Sequence, residues 1–167
     1  MSLGRDTHAI GEIPLSGRDP SSAGPHVAYE LGMLRVTFTR IPLDGPVDVV
    51  DLEGFLLHAR NLIEFFWDGA PKGAILPKDF GPPKKRDKDA ATADLRDEIS
   101  QLLSHLTWER VVHERRSSGW TYERLQGIRD AIAKKAQAFF LAIPPDRHAW
   151  FDVKAFPQEY RQWMPDA

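Results

Sequence analysis

The amino-acid sequence predicts an all-α protein, a four-helix up-and-down bundle with a long connection between its second and third helices. Three observations support this prediction. Four segments repeat apolar residues every three or four positions, the spacing that places them on one helix face. Clusters of proline and glycine separate these segments. No two segments show the alternation typical of paired strands. The predicted bundle occupies residues 25–143, between a flexible N-terminal arm (1–24) and a C-terminal tail (144–167).

Each predicted helix is bounded by residues that favour helix starts or ends. The four helices are predicted to span residues 26–41, 48–67, 92–116 and 121–143. Pro25 suits the first turn of the first helix, where a missing N–H costs nothing. The side chains of Asp48, Thr92 and Thr121 can cap the N-termini of the other three. Proline residues follow the first and the fourth helix and prevent their continuation.

The connection between the second and third helices is unusually long for a helical bundle. Residues 67–91 contain four prolines and three glycines, which prevent a long helix, together with a short basic run at 84–88. Connections in bundles are usually short. We therefore expect this segment either to cross one end of the bundle or to form a functional loop.

The C-terminal tail is rich in aromatic residues. It contains Trp150, Phe151, Phe156, Tyr160 and Trp163. Several large apolar side chains close together are poorly tolerated in water. We therefore expect the tail to pack on the bundle or against a partner.

Composition limits the classes of function that the chain can have. Of its 167 residues, 42% are hydrophobic and 28% charged, and the formal net charge is −2. A nearly neutral chain does not attract nucleic acid in general, so such binding would need a local site. The chain contains no cysteine, which excludes disulfides and thiolate metal sites. No apolar segment is long enough to cross a membrane, and the N-terminal residues do not resemble a signal peptide. We expect a cytoplasmic protein without membrane contact.

Polar residues interrupt the apolar face of the second predicted helix. At 100° per residue, His58 and Asn61 share one flank of the apolar stripe. Arg60 lies on the other flank, one turn from Glu64, with which it can form an ion pair. His58 and Arg60 are therefore not expected to contact the same ligand directly.

The third predicted helix carries a second polar cluster. His105, Glu109 and His113 follow one another at intervals of four residues, so they form one row. Arg110 lies almost within the apolar stripe, one turn beyond Leu106. An arginine there needs an acidic partner, an anion or a route to solvent.

Three interpretations of these clusters remain open. In the first, the two helices bring His58, Asn61, His105 and Arg110 to one groove, where histidine transfers protons and arginine holds a phosphate. This set suffices to cleave RNA through its own 2′-hydroxyl without a metal or another cofactor. In the second, the side chains form a structural network that fixes helix register. The third is a metal site formed by His105, Glu109 and His113 with His58, although the paired Glu-x-x-His motifs of bundle metal sites are absent.

Several segments together resemble a known family. These are FLLHARNLIEFF at 55–66, SHLTWER at 104–110 and Gly119-Trp120. They are similar to a group of bacterial proteins that we associate with the HEPN-like helical bundles (higher eukaryotes and prokaryotes nucleotide-binding). The resemblance covers roughly residues 26–143 and omits both ends of the chain.

The resemblance implies a homodimeric bundle that binds nucleotide or RNA. Many HEPN-like proteins are metal-independent ribonucleases of defence or toxin–antitoxin systems, and others only bind or act as scaffolds. Their nuclease motif places an arginine several residues before a histidine on one helix, whereas Arg110 precedes His113 by only three positions. The candidate residues therefore come from the polar clusters. We expect His58, His105 and Arg110 to be catalytic, and Arg60, Asn61, Glu109 and His113 to bind ligand. The alternative is a non-catalytic dimerising or partner-binding module.

Overall fold

A computed structural model describes residues 19–67, 70–81, 90–104 and 120–151. These residues form four α-helices: α1 (Pro20–Thr39), α2 (Val49–Phe66), α3 (Ala90–Ser104) and α4 (Tyr122–Ala142). Two 3-10 helices accompany them, Pro77–Asp79 and Pro145–Phe151. The described ranges contain no β-strand, so the predicted all-α class is confirmed. Of the helices in these ranges, none is both long enough and apolar enough to cross a membrane.

The first helix begins earlier than the sequence suggested. Asp19 is its N-cap, and the carboxylate of Asp19 accepts a hydrogen bond of 2.9 Å from the backbone N–H of Ser21. Pro20 occupies the first turn, and Pro25 lies inside the helix. The predicted start at residue 26 is therefore wrong, and residues 20–24 are helical rather than part of an arm. A capping carboxylate followed by proline, as in Asp19-Pro20, is a stronger signal for a helix start than the glycine and proline at 24–25.

The predicted caps of α2 and α4 are confirmed. The Asp48 carboxylate accepts a hydrogen bond of 2.8 Å from the N–H of Val50, and the Thr121 hydroxyl accepts one of 3.3 Å from the N–H of Arg124. The carboxylate of Glu123 accepts hydrogen bonds from its own backbone N–H and from Thr121, which together lower the pKa of Glu123. Local capping chemistry thus fixes where both helices begin.

The third helix is described only in part. It begins at Ala90, two residues before the predicted cap Thr92. Its last described residue is Ser104. The predicted extension to residue 116 lies outside the described residues.

Helix α2 lies at the centre of the packing. It contacts α1, α3 and α4, and α1 also contacts α4. The most deeply buried large side chains come from all four helices, from the residue that follows the first 3-10 helix and from the second 3-10 helix: Leu34, Phe55, Leu56, Leu62, Phe80, Ile99, Leu125, Ile132 and Phe151. Burial of such side chains stabilises each by about 1.5–3 kcal/mol relative to exposure. The apolar stripes predicted from the sequence therefore meet in one core.

The connection between α2 and α3 and the start of the C-terminal tail also pack on this core. Phe80 follows the 3-10 helix Pro77–Asp79 and is fully buried, with its ring 5.9 Å from that of Phe139 and 4.9 Å from that of Phe151. The guanidinium of Arg147 donates a hydrogen bond of 3.0 Å to the carbonyl of Phe80. Part of the long connection therefore packs on the core and is held by residues that follow α4.

Candidate functional site

His58 on α2 is buried and joined to α1. Its side chain is 8% exposed, and its Nδ1 lies 2.7 Å from Oε2 of Glu30. Because a carboxylate accepts hydrogen bonds, Nδ1–H is the donor in this contact. The ring of Tyr29 meets the imidazole edge-on, with a centroid distance of 5.8 Å. The imidazole therefore fixes the position of the Glu30 carboxylate against α2.

A second ion pair lies one turn further along α2. Nη2 of Arg60 is 3.3 Å from Oε1 of Glu64, which confirms the predicted pairing between these two residues. The side chains are 30% and 20% exposed. Nε of Arg60 is buried and has no hydrogen-bond partner among the described residues. Buried donors are nearly always bonded, so this one stands out within the described part of the chain.

A cavity of about 200 Å³ lies between α1, α2 and residues 74–75, which precede the 3-10 helix Pro77–Asp79. Its lining residues are His26, Val27, Glu30, Asn61, Leu62, Glu64, Phe65, Ala74 and Ile75. The apolar side chains from α1 and α2 are buried and form the floor, whereas His26 and Ile75 are exposed at the rim. Three polar lining residues, Glu30, Asn61 and Glu64, are half-buried and are called the polar wall. The cavity thus combines an apolar floor with a polar wall.

Part of the polar wall is not used by contacts within the described structure. Oε2 of Glu30 is bonded to His58, but Oε1 makes no hydrogen bond with a described residue. The amide of Asn61 and the ring of His26 likewise make none within those ranges. A carboxylate oxygen accepts up to two hydrogen bonds, and an amide both donates and accepts. These groups can therefore bind a ligand without first breaking a hydrogen bond to a described residue.

Three of the seven site residues predicted from the sequence lie within the described ranges. Asn61 lines the cavity, whereas His58 and Arg60 lie behind its wall and hold the two glutamates. The other four predicted residues lie outside the described ranges: His105, Glu109, Arg110 and His113. Their predicted approach to His58, and the metal hypothesis that depends on it, stay predictions. Within the described ranges, no group of three histidine or acidic residues is placed to hold a metal ion.

Sequence reasoning missed the α1 side of the site. Glu30 comes three residues after Val27 and four before Leu34, so it falls beside the apolar stripe of α1. A carboxylate there needs a partner, which is the same argument that drew attention to Arg110. That argument could have selected Glu30, but it could not have identified His58 as the partner on another helix.

Comparison of the chain with protein-family models, with curated proteins and with solved structures yields no match.

Proposed function

We propose that the protein is a HEPN-like four-helix bundle that binds nucleotide or RNA, with the cavity between α1 and α2 as a contact site. The resemblance of residues 55–66 to HEPN-like proteins supports nucleotide or RNA as the class of ligand. The single observation that carries the proposal is the cavity wall, where Glu30 and Asn61 have hydrogen-bonding capacity not used by described residues. RNA-binding proteins commonly recognise splayed bases by stacking and by hydrogen bonds to the base edges.

The charges of the wall favour the base rather than the phosphate. Glu30 and Glu64 bring two carboxylates to the cavity, and each is already paired with a basic residue behind the wall. A phosphate entering this space would meet like charge, which disfavours it. A base is uncharged and can lie against Leu62 and Phe65 on the floor. The phosphate then stays outside, toward solvent.

The same proposal includes cleavage of RNA in a bacterial defence or toxin–antitoxin type system. In that version His105 is the general acid or base and Arg110 holds the scissile phosphate, as the sequence clusters suggest. His58 then positions Glu30 rather than touching the reacting atoms, because its side chain is buried behind the cavity wall.

The test uses the full chain and a fluorescein-labelled single-stranded RNA of mixed sequence, with EDTA present. We expect saturable binding by fluorescence anisotropy and, in the cleaving version, shortening of the RNA on a denaturing gel. His105→Ala should abolish cleavage. His148→Ala serves as the matched control, because the His148 ring lies outside the cavity and its one hydrogen bond within the described ranges is to the Phe140 carbonyl. Binding without cleavage would rule out ribonuclease activity. Absence of binding would rule out the proposed function.

A second candidate function is a non-catalytic dimerising or partner-binding module. The observation that favours it is the burial of His58 and its bond to Glu30, since this pair links α1 to α2 and can serve purely to fix helix register. On this hypothesis the chain binds no RNA, whereas loss of stability on removing the imidazole is expected on both hypotheses. The RNA-binding measurement therefore separates the two candidates.

A further inference from the structure

We infer that the cavity between α1 and α2 is a guanine pocket, which takes the base of a guanine nucleotide or of a guanine within RNA. This inference rests on the proposed function and names the base that the site prefers. Its basis is the chemistry of three side chains on the wall: Glu30, Asn61 and Glu64.

The size of the cavity indicates one ring system. Pockets that enclose a drug-sized ligand measure about 300–1,000 Å³. The cavity here measures about 200 Å³. Val27, Leu62 and Phe65 supply a buried apolar floor, and the exposed Ile75 of the connecting segment also lines the cavity. A single planar base suits this volume and this apolar floor better than a larger ligand does.

The carboxylate of Glu30 selects a ligand edge with two adjacent N–H donors. His58 donates to Oε2 and so holds the carboxylate in place. Oε1 and the second lone pair of Oε2 remain to accept further hydrogen bonds. Guanine presents N1–H and the 2-amino group side by side on its Watson–Crick edge. Adenine instead presents the acceptor N1 there, which a carboxylate repels and leaves unbonded.

Asn61 complements the rest of the same edge. Guanine carries the acceptor O6 beside N1–H, and an amide NH₂ can donate to it. The Asn61 amide makes no hydrogen bond with a described residue, so it is able to turn toward the ligand. Glu64, held by Arg60, adds a second carboxylate that keeps anions out of the cavity. Donor-rich, uncharged guanine therefore fits the wall better than the other bases or a phosphate group.

Calorimetric titration of the full chain with guanosine, inosine and adenosine tests the inference. We expect guanosine to bind about tenfold or more tightly than adenosine, since a good bidentate contact provides that much discrimination. Inosine lacks the 2-amino group and should bind more weakly than guanosine. This comparison uses the wild-type protein, so it does not depend on any variant folding.

Two variants and a control locate the contact. Glu30→Gln keeps an acceptor for His58 but presents an NH₂ donor to the donors of guanine, so guanosine affinity should fall about tenfold or more. Asn61→Ala should lower the affinity for guanosine without altering the melting temperature of the protein. Glu53→Gln makes the same change at an exposed position of α2 outside the cavity, and guanosine affinity should stay unchanged.

The outcomes distinguish this inference from the proposed function. Guanosine preference that disappears in Glu30→Gln supports the pocket. Binding of mixed RNA with no preference for guanosine, or with a preference that Glu30→Gln leaves intact, overturns the pocket and leaves the proposed function standing. Failure to bind any nucleoside or RNA overturns both.

Discussion

At the scale of single residues, the bond between His58 and Glu30 determines what the site can do. The imidazole is buried, joins two helices and sets one oxygen of the carboxylate, while the other oxygen makes no bond with a described residue. A positioned carboxylate at a cavity wall loses less freedom on binding than a mobile surface side chain, so its hydrogen bonds contribute more to affinity. On the proposed function, His58 holds Glu30 in position for a ligand.

Replacement of His58 by alanine should destabilise the protein. The change leaves the half-buried Glu30 without its partner and empties space beside Tyr29, and together these effects cost about 1–3 kcal/mol of unfolding free energy. Urea denaturation followed by circular dichroism measures it. The matched control is His26→Ala, an exposed histidine with no bond to described residues, which should change stability by less than about 0.5 kcal/mol. Equal stability of the two variants would contradict a linking role for His58.

The helical repeat of 100° per residue predicts which residues pair along one helix, but it does not predict their partners on another helix. The pair Arg60–Glu64 follows from a spacing of four positions, so it could be predicted and is confirmed. The partner of His58 could not, because Glu30 is 28 positions away and the contact depends on how α1 packs against α2. The cavity also needs residues 74–75, whose approach no periodic pattern indicates.

At the scale of elements, the start of α1 shows how competing local signals limit prediction. Asp19-Pro20 and Gly24-Pro25 both suit a helix start, and the structure uses the first. Gly24 has a different role, since it allows close packing. A Cβ at this position would overlap the carbonyl oxygen of Trp150 and lie 2.7 Å from its carbonyl carbon. Nothing in the local sequence near Gly24 identifies Trp150, which is 126 positions later, as its neighbour.

Two glycine-to-alanine changes should have opposite effects on stability. Both glycines lie in helices, so alanine improves the intrinsic helix propensity in each case. Gly127→Ala meets no atom within 4 Å and should stabilise the protein by about 0.4–1 kcal/mol. Gly24→Ala meets the backbone of Trp150 and should destabilise it by about 1–3 kcal/mol. Thermal melts of the two variants compare them, and stabilisation by Gly24→Ala would contradict the packing of the 3-10 helix 145–151 on α1.

At the scale of the whole molecule, a nearly neutral chain needs a local site if it is to bind RNA. A net charge of −2 gives no long-range attraction to RNA. On the proposed function, specificity comes from short-range contacts, for which the cavity offers an apolar floor and a half-buried polar wall. The all-α class could be predicted because it depends on periodicity along the chain. The cavity could not, because it forms between elements that are distant in sequence.

The most direct test of the account is an NMR titration of the ¹⁵N-labelled chain with guanosine monophosphate. Binding at the cavity predicts that amide shifts change in a group comprising residues 26–30 of α1, 61–65 of α2 and 74–75 of the connection. Changes should be small at the start of α4, which does not line the cavity. The same titration of Glu30→Gln should show much smaller changes in that group. Shift changes confined to other parts of the chain, or none at saturating nucleotide, would contradict the proposed binding site.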